Sequence, residues 1–131
     1  MMHLFQVTLV VDDYDRAIAH YCGALGFELI EDTRLSDIKR WVVVSPGAGG
    51  AKLLLARAAS PDQAKAVGRQ AGGRVGFFLE TADFDRDYAR LRANGVEFVR
   101  PPRDEAYGRV VVFRDLYGND WDLIGPVSAQ N

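Results

Sequence analysis

The sequence predicts an α+β fold: two tandem βαβββ modules whose curled mixed sheets form a concave cavity. Three observations carry that prediction. Asp13-Tyr14-Asp15-Arg16 returns 70 residues later as Asp83-Phe84-Asp85-Arg86, and Gly26-Phe27-Glu28-Leu29-Ile30 returns 69 residues later as Gly95-Val96-Glu97-Phe98-Val99. Self-similarity at a nearly fixed offset marks a duplicated structural unit. Each copy also switches from an apolar, β-rich run to helical spacing and back to extended runs, and turn residues separate those runs.

In the first copy Phe5 to Val11 reads as a strand. Asp13 then stands where a carboxylate accepts from the free N–H groups of a helix start. Ala17, Ile18, Tyr21, Cys22 and Leu25 fall on one helical stripe, which needs a sheet to cover. A second strand follows Gly26, and then come Arg40 to Ser45 and Lys52 to Ala56, with Gly47-Ala48-Gly49-Gly50 as the turn between them. The connector from Arg57 to Arg74 holds Ser60-Pro61-Asp62-Gln63, a capping-box spacing with Pro at the first helical position. A short helix is expected there, ending near Gly72-Gly73. In the second copy Val75 to Thr81 is the strand, Asp83 the cap, and Phe84, Tyr88 and Leu91 the apolar stripe. Strands Arg109 to Arg114 and Asp120 to Ile124 then flank the turn Asp115-Leu116-Tyr117-Gly118-Asn119. The expected organisation is one domain over 1–131, with modules at about 4–56 and about 75–125 joined by a connector, 57–74.

Composition narrows the function. The chain has 131 residues, 48% of them hydrophobic, enough for one globular core. Sixteen Lys and Arg against 18 Asp and Glu leave a net charge of -2, so the cationic footprint that a nucleic acid or anionic membrane demands is missing. No apolar run approaches the roughly 20 residues needed to span a bilayer, and the first residues lack the features of a secretory signal. A single cysteine, Cys22, forms no internal disulfide. The expectation is a cytoplasmic protein.

Strand alternation assigns faces. Phe5, Val7, Leu9 and Val11 are expected beneath the helix, which leaves Gln6 and Thr8 on a partly polar face suited to a small ligand. Their repeat equivalents are Gly76 and Phe78, followed on the same face by Glu80. Asp122 lies opposite Trp121 and Leu123 on the last strand. Glu80 and Asp122 are the candidate catalytic carboxylates, either as a base or as partners of a cationic group, if burial raises a pKa. The alternatives are a solvated strand end for Glu80 and a satisfied core amide for Gln6.

Gln6-Val7-Thr8-Leu9-Val10-Val11-Asp12-Asp13, followed by Ala17, Tyr21 and Leu25-Gly26-Phe27, and the run from Phe113 to Leu123 together resemble the vicinal-oxygen-chelate superfamily. That superfamily includes glyoxalases, extradiol dioxygenases and the fosfomycin- and bleomycin-resistance proteins. The resemblance covers nearly the whole chain. It implies a divalent metal held by side chains from the first and last strand of each module, at positions that fall here on Gln6, Leu54, Gly76 and Asp122. Only Gln6 and Asp122 carry donors, so no metal and no other cofactor is expected, although a divalent ion at these positions is the alternative. His3 and His20 are expected at the surface, and Cys22 in the core.

Bleomycin-binding members capture a ligand without metal, by stacking and polar contacts. Trp41, Phe78, Tyr107, Tyr117 and Trp121 are the aromatic residues available for that, with Trp41 and Tyr107 the leading choices and Trp121 read as packing. The ligand-binding set is therefore Gln6, Thr8, Trp41, Phe78 and Tyr107. Arg40, Arg74 and Arg109 flank strands, as anion contacts or as solvated charge. The leading expectation is a metal-independent protein that sequesters or senses a small organic or antibiotic-like molecule. The alternative is a glyoxalase-like lyase or isomerase, or a dioxygenase, polarising vicinal oxygens through a metal. The resemblance also implies a homodimer.

Overall fold

The computed structural model describes residues 1–47 and 49–128; Ala48 of the expected Gly47 to Gly50 turn lies outside them. The chain divides into two compact units, Met1–Gln70 and Ala71 onward.

The first unit contains β1 (Gln6–Val11), α1 (Tyr14–Ile18) continuing as π-helical turns over Ala19–Ala24, β2 (Glu28–Arg34), β3 (Arg40–Ser45), β4 (Lys52–Arg57) and α2 (Pro61–Ala66). Its sheet runs β1-β4-β3-β2. The β1–β4 pair is parallel and the others are antiparallel, so the sheet is mixed, as the repeat pattern predicted. Asp13 caps α1 by accepting from the Arg16 N–H at 2.8 Å. Helix α1 rests on β3 and β4. Ala17, Tyr21 and Leu25 are buried on the helix side, and Leu9, Val11, Val42, Val44, Leu53 and Leu55 are buried in the sheet. Each large apolar side chain so buried contributes about 1.5–3 kcal/mol. Phe5 departs from expectation: β1 begins only at Gln6, and Phe5 is 62% exposed instead of lying beneath the helix. The helix widens at its end, where Leu25 N–H donates to the His20 carbonyl at 3.1 Å, and Gly26 closes it at φ 78°.

Ser60 caps α2 as the sequence indicated, accepting from Gln63 N–H at 3.2 Å. The helix stops at Ala66, short of the expected Gly72-Gly73, because Val67 is already extended and Gly68 takes a positive φ. That early stop leaves Gln70 free to bracket β1. Its side-chain carbonyl accepts from Val10 N–H at 2.8 Å, and its amide nitrogen donates to the Thr8 carbonyl. β1 is an edge strand, so the Gln70 amide satisfies backbone groups that a neighbouring strand would otherwise pair.

The second unit contains β5 (Val75–Glu80), α3 (Phe84–Ala93), β6 (Glu97–Phe98), β7 (Arg103–Glu105), β8 (Gly108–Arg114) and β9 (Asp120–Gly125). Its sheet runs β5-β9-β8-β6, with β7 also on β8. The duplication is visible in the register: Thr8 pairs with Leu54 as Phe78 pairs with Asp122, and Leu9 with Leu55 as Leu79 with Leu123. One element differs. The expected single strand after Gly95 is two short ones, because Pro101-Pro102 lack the N–H groups a ladder needs.

The repeat also reaches the side chains. Asp83 caps α3 through Arg86 N–H at 3.2 Å. Arg40 binds Asp15 at 2.9 Å and Arg109 binds Asp85 at 3.2 Å, so each copy ties the start of a strand to the start of its helix. Each arginine also holds a carboxylate of the neighbouring strand, Asp32 for Arg40 and Asp104 for Arg109. The turn after β8 is organised by buried Asp115. Its Oδ1 accepts from the backbone N–H of Tyr117 and Asn119 at 3.0 Å and of Gly118 at 3.1 Å. Its Oδ2 accepts from Asn119 Nδ2 and Trp121 Nε1, both at 3.0 Å.

Candidate ligand-binding site

A cavity of about 590 Å³ opens in the first unit, lined by Tyr14, the turn and strand residues Ile38 to Trp41, β4 and the loop after it from Leu54 to Ala59, and Gln63. Pockets for small organic molecules fall within a range of about 300–1,000 Å³. The strands set its walls. The β3–β4 register places Val42 opposite Leu55 and Val43 opposite Leu54, so alternation turns Trp41 and Val43 to the same side as Leu54 and Ala56. Trp41 remains 36% exposed, leaving part of its indole available for stacking. The turn that carries Ile38 and Lys39 is fixed by backbone bonds. Leu35 and Ser36 N–H both donate to the Lys39 carbonyl, and Ser36 Oγ accepts from Ile38 and Lys39 N–H.

Three cations line this cavity, Lys39, Arg40 and Arg57. Arg40 is immobilised. Its guanidinium grips Asp32 with two bonds, reaches Asp15 and lies 5.2 Å from the centre of the Tyr14 ring. Its backbone N–H donates to the Tyr14 hydroxyl at 3.2 Å. Arg40 and Arg109 are thus ties within their units, their charge matched by carboxylates while the pairs stay partly open to solvent. Lys39 and Arg57 have no ion pair among the described residues.

Of the residues that the sequence nominated, Trp41 and Leu54 meet in this cavity. Gln6 and Thr8 share the sheet face of Leu54 on neighbouring β1, Gln6 half-buried and Thr8 exposed. Phe78, Glu80 and Asp122 lie together in the second unit, where Phe78 pairs with Asp122 and Glu80 with Ile124. Phe78 is 65% exposed on that face. Tyr107 projects from the β7–β8 turn, also exposed. Burial pushes the Asp122 carboxyl above the usual carboxylate range, against the opposing pull of Arg103 and Arg100. Cys22, expected in the core, is half-buried, and that partial burial pushes its thiol up, away from the depressed range of a reactive nucleophile. His3 is exposed as expected, but His20 is half-buried, its ring edge-on to Tyr21 at 5.1 Å. Trp121 is 1% exposed and packs against Phe77 and Phe113.

Sequence reasoning passed over Lys39, Arg57 and the Gln70 bracket. The first two adjoin strand ends, where solvated charge is commonplace, and Gln70 acts 60 residues away in sequence from the backbone it serves.

Residues 3–123 match the family described as the Glyoxalase/Bleomycin resistance protein/Dioxygenase superfamily. The chain belongs to that superfamily. It is 56% identical over 123 residues to an uncharacterized protein of Shewanella frigidimarina, covering 92% of this chain and 91% of that one. Among solved structures of the superfamily's fold it resembles UcmS2, with a TM-score of 0.81 and 31% identity over 95% of this chain and 98% of that one. It also resembles TnmS3, an antibiotic binding protein from Streptomyces sp. CB03234, with a TM-score of 0.76 and 29% identity over 96% and 97% of the two chains. Among the described residues no helix is long and apolar enough to cross a membrane.

At two of the positions that the resemblance implies for metal ligands, the chain offers no donor side chain. In the first unit Leu54 offers no donor. In the second, Gly76 sits at a register shift between Val75 and Phe77, and a Cβ built on it would lie 2.9 Å from the Ala71 Cβ. That space is already taken. Among the described residues no three His, Cys, Asp or Glu side chains form a group able to hold an ion.

Proposed function

We propose that this member of the superfamily is a metal-independent binding protein that captures a small aromatic, antibiotic-like molecule in the cavity of its first unit. The observation that carries the reading is the cavity itself, with a partly exposed indole on one wall and Leu54, an apolar side chain, at a position where metal-dependent relatives have a ligand. A ligand entering it would bury apolar surface against Ile38, Leu54 and Ala56 and stack on Trp41. The likeness to an antibiotic binding protein supports the reading.

A panel of polycyclic aromatic antibiotics, titrated against the protein with tryptophan emission as the signal, tests it. The expected result is saturable quenching by at least one member, unchanged by a chelator, and weaker binding of that member to Trp41→Leu when titration calorimetry replaces emission as the signal. Binding that requires a stoichiometric first-row metal would overturn the proposal and favour the metal-dependent enzyme. One observation favours a second reading: the raised Asp122 carboxyl beside Phe78 suits a metal-free acid or base.

A further inference from the structure

We infer that the ligand taken by the first unit's cavity is a monoanion, its carboxylate or equivalent group received by Lys39 and Arg57 while its aromatic plane lies along Trp41. This inference rests on the binding reading above and adds the charge of the ligand.

The cavity wall carries three cations and no carboxylate among the described residues. Arg40 is already saturated by Asp32 and Asp15, neither of which lines the cavity. These two carboxylates exceed the Arg40 charge by one, so these three side chains together with Lys39 and Arg57 sum to one net positive charge. A single negative group neutralises it. Lys39 and Arg57 stand at the same end of the β3–β4 pair, three residues before Val42 and two after Leu55, which face one another. Both side chains belong to exposed residues that keep their charge hydrated until a ligand arrives. A desolvated cation would need a partner built in. A hydrated one beside an apolar wall instead meets an amphipathic anion at the cavity mouth, with its ring inside and its charge at the rim.

Three naphthalenes of equal ring size separate charge from shape: 2-naphthoate, 2-naphthamide and 2-naphthylmethylammonium. Each is titrated by tryptophan quenching against the wild-type chain, Lys39→Met, Arg57→Met and the double variant. Exposed ion pairs are worth a few tenths to one kcal/mol, so each single variant should weaken naphthoate about 2- to 5-fold and the double variant about 10-fold, with 2-naphthamide unchanged. The wild-type preference for naphthoate should also shrink as salt is raised. Naphthamide or the ammonium compound binding as tightly as naphthoate overturns the charge assignment alone, leaving the aromatic cavity in place. No quenching by any of the three at millimolar concentration overturns both. Circular dichroism of the variants guards against misfolding, and a neutral probe that still binds the double variant confirms an intact cavity.

Discussion

Replacing Asp115 by Asn changes one atom and inverts the hydrogen-bonding role of a buried position. The Asp115 carboxylate accepts five hydrogen bonds, all near 3.0 Å. An Asn can keep its carbonyl toward the three backbone N–H groups of Tyr117, Gly118 and Asn119. Its NH2 must then face Asn119 Nδ2 and Trp121 Nε1, both donors. Trp121 is 1% exposed and Asn119 is buried, so water does not replace the lost acceptor. Each donor left unsatisfied in such a place costs about 1–3 kcal/mol, and two of them place Asp115→Asn at about 2–6 kcal/mol. For a chain of this size 1 kcal/mol corresponds to roughly 3–5 °C, so Tm should fall by about 6 °C or more. Urea unfolding followed by Trp121 emission checks this, with the midpoint moving and the slope unchanged. A loss below about 0.5 kcal/mol would refute the view that this carboxylate organises the turn.

Burial raises the Asp122 carboxyl in the folded chain, so its contribution to stability is full below the unfolded pKa and is lost as pH rises through the folded one. Asp122→Asn should therefore be more stable than wild type at pH 7 and equal to it at pH 3, as melting curves at the two pH values would report; a variant less stable at pH 7 would contradict this. Arg40→Met removes ties to Asp32 and Asp15 and should cost about 1 kcal/mol in low salt and less in 1 M salt, as for partly exposed ion pairs; a cost that does not change with salt would assign the role of Arg40 to packing. Acrylamide should quench Trp41 and spare Trp121, so Trp41→Phe should lose most of the quenchable emission. Equal quenching of both proteins would place the Trp41 indole out of solvent reach.

Most of the architecture was legible because it depends on periodicity, which sequence carries directly. The Asp13 and Asp83 repeat located both helix starts, and the alternation along Gln6–Val11 and Val75–Glu80 put Thr8 and Phe78 on equivalent faces, as the paired registers bear out. Local chemistry misled where a neighbour decided the outcome. Pro101-Pro102 broke a strand that the repeat alone made continuous, and Val67 ended α2 before its glycines. The site was less legible. Trp41 was nominated, yet the charges that give its cavity a chemical preference became visible only when the partners of Arg40 were known and those of Lys39 and Arg57 were found missing among the described residues. Pairing is a three-dimensional fact. Arg40, Lys39 and Arg57 look alike in a sequence, whereas in the fold one is a structural tie and two are available charges.

Co-crystallising the chain with the tightest-binding polycycle from the panel puts the central claim to its most direct test. Electron density for the ring system against Trp41 and Leu54, with no ion between ligand and protein, is the predicted outcome. A ligand held through a metal bound by three or more protein atoms, or seated away from this cavity, would contradict it.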